Sequence, residues 1–304
     1  IIGGIYFSNK YLPVAPKSFI FPEHIMFTWL QQNAQLFRFY GAGTTHIDFN
    51  FPSHYKIYTA EGYDSLRIER YAQLMASSFT GSVPETYLRS DAVFPTDENG
   101  YRKRLFELLG VKYMLDKEDD PKTGKDWHYE RFPNDKLKGI WQEGKFQVYE
   151  REQVLPRIFQ TTSYLVTNDK EIINNIYDKN FDLSIVQLEN APTLEITQST
   201  HTFIVPEVVK YAPGEIIIKT SSPVNSLLFI SDAFDPDWKA KVDDSNSTIL
   251  RAHYALSAVE VPQGEHTVYL KYDPASFRYG LFISLLALIS ISILTVYKIK
   301  KKSF

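Results

Sequence analysis

The 304-residue chain has no cysteine, which excludes a disulfide scaffold, thiolate catalysis and cysteine-ligated zinc or iron–sulfur clusters. It lacks a basic excess as well. A net charge of -3 and a pI near 6.2 provide no broad positive field to hold a nucleic acid. No two histidines stand three or four residues apart, and His46 and His54 lie eight apart in loop-like sequence, so the spacing of a zinc site is missing. No G-x-S-x-G elbow marks a serine hydrolase, and "KTGK" lacks the paired glycines and Lys-Ser/Thr ending of a P-loop. No metal or cofactor is implied.

Charge is also absent from one long run. Between Arg278 and Lys298 stand 19 uncharged residues rich in Leu and Ile, just long enough as a helix to cross a hydrocarbon core of about 30 Å. Residues 279–297 are therefore read as a transmembrane helix, bordered by Tyr272, Phe277, Tyr279 and Tyr297. Lys298, Lys300, Lys301 and Lys302 follow it, and the positive-inside bias places this tail, residues 298–304, in the cytoplasm. The bulk of the chain is then expected outside the cytoplasmic membrane. The first residues, "IIGGIYFSNKYLP", have no initiator Met and no basic stretch before their apolar residues, unlike a signal peptide. Residues 1–20 are expected to be the end of a preceding membrane segment and a linker.

From residue 21 to 190 helical and strand patterns alternate, predicting an extracytoplasmic α/β domain. Pro22 is placed in the first turn of a helix through "EHIMFTWLQQN", and "LFRFYG" reads as a strand. Asp64 is expected to cap a helix whose Ile68, Tyr71 and Met75 share a face. Tyr101, Leu105, Leu108 and Leu109 fall at helical spacing, Gly110 stops that helix, and "VKYML" follows as a buried strand. "KEDDPKTGKDWHYERFPNDK" reads as a solvated loop or hairpin, "LKGIWQEG" and "KFQVYERE" as a hairpin, and Asn168 with Glu171 as a capping box. Beyond residue 190 helical periodicity vanishes, and short β-rich runs over 191–275 predict a small antiparallel β-sandwich. The fold class is α+β: an α/β domain, a β-sandwich and one C-terminal membrane helix.

"FISDAFDPDWKAKVDD", Phe229 to Asp244, gathers five aspartates around Trp238. An EF-hand starting at Asp235 would place Lys239 at a ligand position, Ala240 at the glycine and Asn246 at the final glutamate, so it is not one. Asp235 and Asp237 flank a proline, where carboxylates serve a turn, and Trp238, Ala240 and Val242 alternate with Lys239, Lys241 and Asp243 as in a half-buried strand. Arg67 and Arg70, one turn apart, could meet a phosphate or form a solvated helix face.

Several segments together resemble one family. "GYDSLRIERYAQLM", "LFELLGVKYML", "FQVYEREQVLPRIFQ", "LLFISDAFDPDWKAKVDD" and "ILRAHYALSAVEVPQGEHTVYLKYDPASFRYGLFIS" look like the C-terminal extracytoplasmic part of YfhO-type bacterial membrane proteins. The family's "PGW" stands here as Pro236-Asp237-Trp238 and its "VDG" as Val242-Asp243-Asp244. The resemblance implies a multi-span protein similar to GT-C glycosyltransferases, which move sugars from polyprenyl-phosphate carriers to cell-envelope polymers. It implies that the catalytic acid lies upstream, so no catalytic residue is assigned here. The expected substrate contacts are Tyr63, Arg67, Asp235, Asp237, Trp238, Arg251 and Tyr254, and the expected partners are the lipid bilayer, a polyprenyl-phosphate sugar and an envelope polymer. The alternative is a non-enzymatic, membrane-anchored module that binds envelope polysaccharide or protein.

Overall fold

A computed structural model describes residues 2–12, 16–41, 43–96, 99–118, 137–198 and 203–302. The chain is a mixed helix-and-strand protein with antiparallel-rich sheets and one C-terminal apolar helix, as the sequence predicts. It divides into two compact units. One holds Ile1–Arg157 with Ile173–Leu183, the other Ile158–Ile172 with Ser184–Phe304. The chain thus passes between units more than once, and strands Ile158–Thr161 and Tyr164–Val166 hydrogen-bond into the same sheet as strands beyond residue 190. Periodicity cannot reveal such recruitment, because pairing partners are set by burial and not by distance along the chain.

In the first unit a four-stranded sheet runs in the order Arg38–Gly41, Val111–Lys117, Phe146–Arg151, Leu137–Glu143. The first pair is parallel and the other two are antiparallel. Helix Gly100–Leu108 starts at Asn99, whose Oδ1 accepts the Arg102 N–H at 2.7 Å, and buries Leu105, Phe106 and Leu108. Gly110, at φ +68°, then turns the chain into strand Val111–Lys117 as predicted. Two predicted helix starts shift. Pro22 precedes helix Ile25–Asn33, and His24 caps it by accepting the Met26 N–H at Nδ1. Asp64 does not cap the next helix, Glu69–Ser77; its Oδ1 accepts the Leu66 N–H at 2.8 Å within a turn. Of the expected loop "KEDDPKTGKDWHYERFPNDK", residues 119–136 lie outside the described residues.

Glu61 keeps part of its surface accessible while protein surrounds its carboxyl, whose Oε1 accepts the Phe94 N–H at 3.0 Å. Desolvation pushes its pKa up to about 7, against the opposing pull of that N–H and of Arg102. Between about pH 4.5 and 7 the folded state therefore retains a proton that the unfolded chain has released, so stability falls as pH rises through this window. Amide-exchange protection of the half-buried helix Glu69–Ser77 is expected to drop by up to about 3 kcal/mol across it. Glu61→Gln, which retains the acceptor for Phe94, should flatten that dependence; an unchanged pH slope in the variant would refute the assignment.

The second unit holds two larger sheets. The seven-stranded sheet runs in the order Phe203–Ile204, Ile158–Thr161, Ser226–Ala233, Leu256–Val261, Ile249–Ala252, Val186–Leu188, Tyr164–Val166. All six residues of Leu256–Val261 are buried, so its central strand is covered on both faces. Glu260 on that strand accepts the Thr193 N–H at 2.8 Å and the Leu194 N–H at 3.1 Å, which pins the incoming chain. The antiparallel five-stranded sheet runs Glu207–Ala212, Glu215–Ser222, Gly264–Tyr272, Trp238–Val242, Ser245–Ser247. It buries one face, through Ile216, Ile218, Ala240, Val242, Val268 and Leu270. That single-sided burial is what the alternation of "WKAKV" and "TVYLKY" predicts.

Strand Gly264–Tyr272 leads within three residues into helix Ala275–Lys302. Its Ala275–Thr295 stretch has a mean hydropathy of 2.0 and none of it is buried. A soluble helix this apolar would be covered by other elements; this one exposes Leu281, Phe282, Ile283, Leu288 and Ile293. Burial in lipid satisfies it.

Candidate membrane-proximal site

The aspartate-rich stretch changes sheets. Its first part is strand Ser226–Ala233 of the seven-stranded sheet, and its last part is strand Trp238–Val242 of the five-stranded one. Between them Asp235 Oδ1 accepts the Asp237 N–H at 2.8 Å, the Asp235 carbonyl accepts the Trp238 N–H at 3.2 Å, and the Asp237 carbonyl accepts the Asp273 N–H at 3.0 Å. The proline turn read from sequence is therefore present, and it is tied to the chain just before the membrane helix. Asp232 accepts from the Tyr211 hydroxyl. Asp243 begins the two-residue turn after Val242 at φ +54°, a left-handed conformation that aspartate tolerates better than most residues. Its carboxylate accepts the Thr267 N–H at 2.9 Å and faces His266 Nδ1 at 2.7 Å. The Thr267 N–H, then His266, hold the Asp243 carboxyl below its ordinary pKa, and the bond to Asp243 raises that of His266. Among the described residues no group of three or more acidic or histidine side chains is disposed to hold a metal ion.

The outward face of the five-stranded sheet has a different character. Lys239 stands directly across from Lys271, Lys241 from Tyr269, and Lys271 from Glu215 on its other side. Glu215 pairs with Lys210, and Glu207 with Lys219 at 3.5 Å. Lys239 Nζ donates to the Pro236 carbonyl at 2.8 Å. Lys239, Lys241 and Lys271 have no carboxylate in ion-pair range among the described residues. Like charges directly opposite in a sheet are destabilising, so the Lys239–Lys271 pair costs stability, which Glu215 across from Lys271 offsets in part. The three lysines line a groove of about 1150 Å³ together with Tyr269, Asn246 and five carboxylates, Glu215, Asp235, Asp243, Asp244 and Asp273. At its end the Trp238 and Tyr272 rings meet at 5.7 Å between centroids. Asp273, itself in the groove lining, bonds Arg278 at 3.4 Å in the first turn of the membrane helix.

The groove gathers part of the predicted set. Asp235 and Trp238 line it, and Asp237 belongs to the same turn. Arg251 instead pairs with Glu189 at 3.0 Å and lies over the Phe234 ring at 4.6 Å, so it supports one groove residue from behind. Tyr254 is only 6% exposed, in a turn where it and His253 both have positive φ, and it presents no contact surface. Tyr63 and Arg67 belong to the first unit. Tyr63 is exposed, its ring lying 6.3 Å from that of Phe49, while Arg67 donates to the Tyr87 carbonyl and lies over the Tyr87 ring at 5.1 Å. Sequence reasoning missed Lys239, Lys241 and Lys271. Each reads as an ordinary outward lysine of an alternating strand, and only the cross-strand register brings them together.

Residues 166–284 match the family Bacterial membrane protein YfhO. The YfhO segment takes in the whole groove, the aspartate turn and the start of the membrane helix, and the exposed apolar span accords with a membrane protein. Tyr63 and Arg67 lie outside it. No curated protein sequence matches the chain. Among solved structures the chain is similar to arabinofuranosyltransferase AftD from Mycobacteria, at 18% identity over 34% of this chain and 8% of that one, with a TM-score of 0.26. The chain thus spans under a tenth of that protein's length.

Proposed function

We propose that this chain is the C-terminal extracytoplasmic region of a multi-span membrane protein that transfers sugars from a polyprenyl-phosphate carrier to a cell-envelope polymer. The groove of the five-stranded sheet receives the phosphate-bearing headgroup, and catalysis belongs to an upstream part of the protein. The observation that carries this reading is the set of lysines without ion pairs, Lys239, Lys241 and Lys271, on a strand pair of which one member, Gly264–Tyr272, runs directly into the membrane helix. Lysines face to face are costly alone and become favourable when a phosphate lies between them. Asp235 and Asp244 can accept from sugar hydroxyls, Asn246 can accept from or donate to them, and Tyr269 offers a flat ring. The lysine-rich tail favours a cytoplasmic C-terminus, which leaves the groove at the outer membrane surface, where lipid-linked sugars meet envelope polymers.

The test is an assay of the full-length protein in membranes with a radiolabelled polyprenyl-phosphate sugar and envelope acceptors. Label should pass to an acceptor, and charge reversal at the groove should reduce that passage. Absence of transfer to any acceptor would defeat the transferase reading. Retention of the lipid without transfer would instead favour the membrane-anchored binding module.

A further inference from the structure

We infer that the first unit holds a binding site for a neutral sugar ring, in an aromatic cavity between helix Ile25–Asn33, helix Phe51–Tyr55 and strand Phe146–Arg151. The cavity measures about 340 Å³, at the small end of the range for small-molecule sites. Its walls are rings held in place by one another. Phe27 and Tyr55 meet at 4.3 Å between centroids, and His24 stands edge-on to Phe146 at 4.5 Å. Outside the wall, Phe21 packs on Phe51 at 5.6 Å and stacks on His54 at 3.6 Å. Tyr55 is further fixed by its hydroxyl, which donates to the Pro22 carbonyl at 2.8 Å.

The ligand class follows from what lines this space. Neither lysine nor arginine is among its described lining residues, so a phosphate or carboxylate would have no counter-charge. A single carboxylate, Asp48, faces it and is largely in solvent, too little to hold a cation. The occupant is therefore uncharged. It must also be amphipathic, because polar groups stand among the rings. His24 Nδ1 accepts the Met26 N–H at 3.2 Å, which leaves Nε2–H as a donor, and desolvation lowers its pKa and keeps it neutral. Asp48 is an acceptor, with His46 Nε2 4.0 Å from its Oδ1. A pyranose matches this set: its C–H face is apolar and lies on an aromatic ring, while its edge hydroxyls both donate and accept. The ring row continues outward, His46 to Phe49 at 5.5 Å and Phe49 to the exposed Tyr63 at 6.3 Å, so a longer glycan would have further surface to follow. Nothing in this inference depends on the lysine groove of the second unit.

The experiment is saturation-transfer NMR on the full chain in amine-oxide micelles, since alkyl glycoside detergents would compete. The probes are the methyl pyranosides of glucose, galactose, mannose and N-acetylglucosamine, with cyclohexanol as the apolar control. At least one pyranoside should receive saturation at its ring C–H protons, with binding about tenfold weaker in Phe51→Ala and in His24→Ala. Phe51 is 39% exposed, so its replacement leaves most of the core in place. Phe51→Leu separates stacking from simple apolar filling: it should lose the sugar and keep cyclohexanol. Saturation of none of the four pyranosides, or saturation unchanged by all three substitutions, or loss of sugar and cyclohexanol together in Phe51→Leu would each overturn the site.

Discussion

Reversing both lysines of the facing pair, Lys239→Glu with Lys271→Glu, is expected to weaken binding of polyprenyl phosphate in nanodiscs by about a hundredfold. Each charge near a membrane surface is worth about 1 kcal/mol toward an anionic headgroup, and reversal replaces each attraction by repulsion. Screening by salt removes part of that sum, which leaves about 3 kcal/mol, or a hundredfold. The same reasoning requires wild-type affinity to fall as salt is raised, and the double variant to lose most of that dependence. Lys219→Glu is the control. Lys219 already faces Glu207 at 3.5 Å, and it does not line this groove, so it should change affinity little. Because Lys271→Glu also sets a carboxylate across from Glu215, the single variant Lys239→Glu, which faces Lys271 and adds no like-charged pair, should fold as wild type and show about tenfold weaker binding. Equal affinity of wild type and double variant would remove the groove from the proposed function.

The largest effect on stability is expected from Gly41→Ala in the first unit. A Cβ at Gly41 would lie 2.2 Å from the Thr45 carbonyl oxygen and 2.9 Å from its carbon. Those atoms are backbone, and they are anchored: the Thr45 hydroxyl donates to the Leu115 carbonyl at 3.0 Å, and Leu115 is the register partner of Gly41 in the parallel pair. Relief requires the short turn Gly43–Thr45 to leave the sheet edge, so the substitution should cost about 3 kcal/mol or more. Gly62→Ala provides the contrast. Nothing lies within 4 Å of a Cβ there, and it should stay within about 0.5 kcal/mol of wild type. Amide-exchange protection of strand Val111–Lys117 reports both, and similar protection in the two variants would contradict the steric argument.

Much of the fold was legible because the relevant forces act along a few residues of chain. Asn168 sits where a side-chain oxygen reaches the N–H three residues on, and it accepts that bond from Glu171. The alternation of Trp238, Ala240 and Val242 with lysines announced a half-buried strand, and that strand is present. Misplaced features had local competitors of similar strength. Pro22 suits a first helical turn, but His24 offers a side-chain acceptor to the Met26 N–H. Asp64 can cap a helix or close a turn, and with Ser65 and Leu66 following it closes the turn. Arg251 and Tyr254 carry groups that often bind ligands, yet Arg251 meets Glu189 and Phe234, while Tyr254 is buried in a left-handed turn. Neither contact can be inferred from neighbouring letters.

The sequence by itself determined the mixed helix-and-strand class, the C-terminal span and the YfhO resemblance, because each depends on residue type and short-range spacing alone. A run of 19 uncharged residues rich in Leu and Ile has the length and composition to cross a hydrocarbon core, and in the structure none of the span is covered by other elements. Tertiary structure decided which strands share a sheet, that Lys239 stands across from Lys271, and that His24, Phe27, Phe51 and Tyr55 enclose one cavity. Those facts depend on register and on the joint burial of distant segments. Shifting strand Trp238–Val242 by one residue would turn Lys239 and Lys241 into the core, and only packing of the whole unit forbids it.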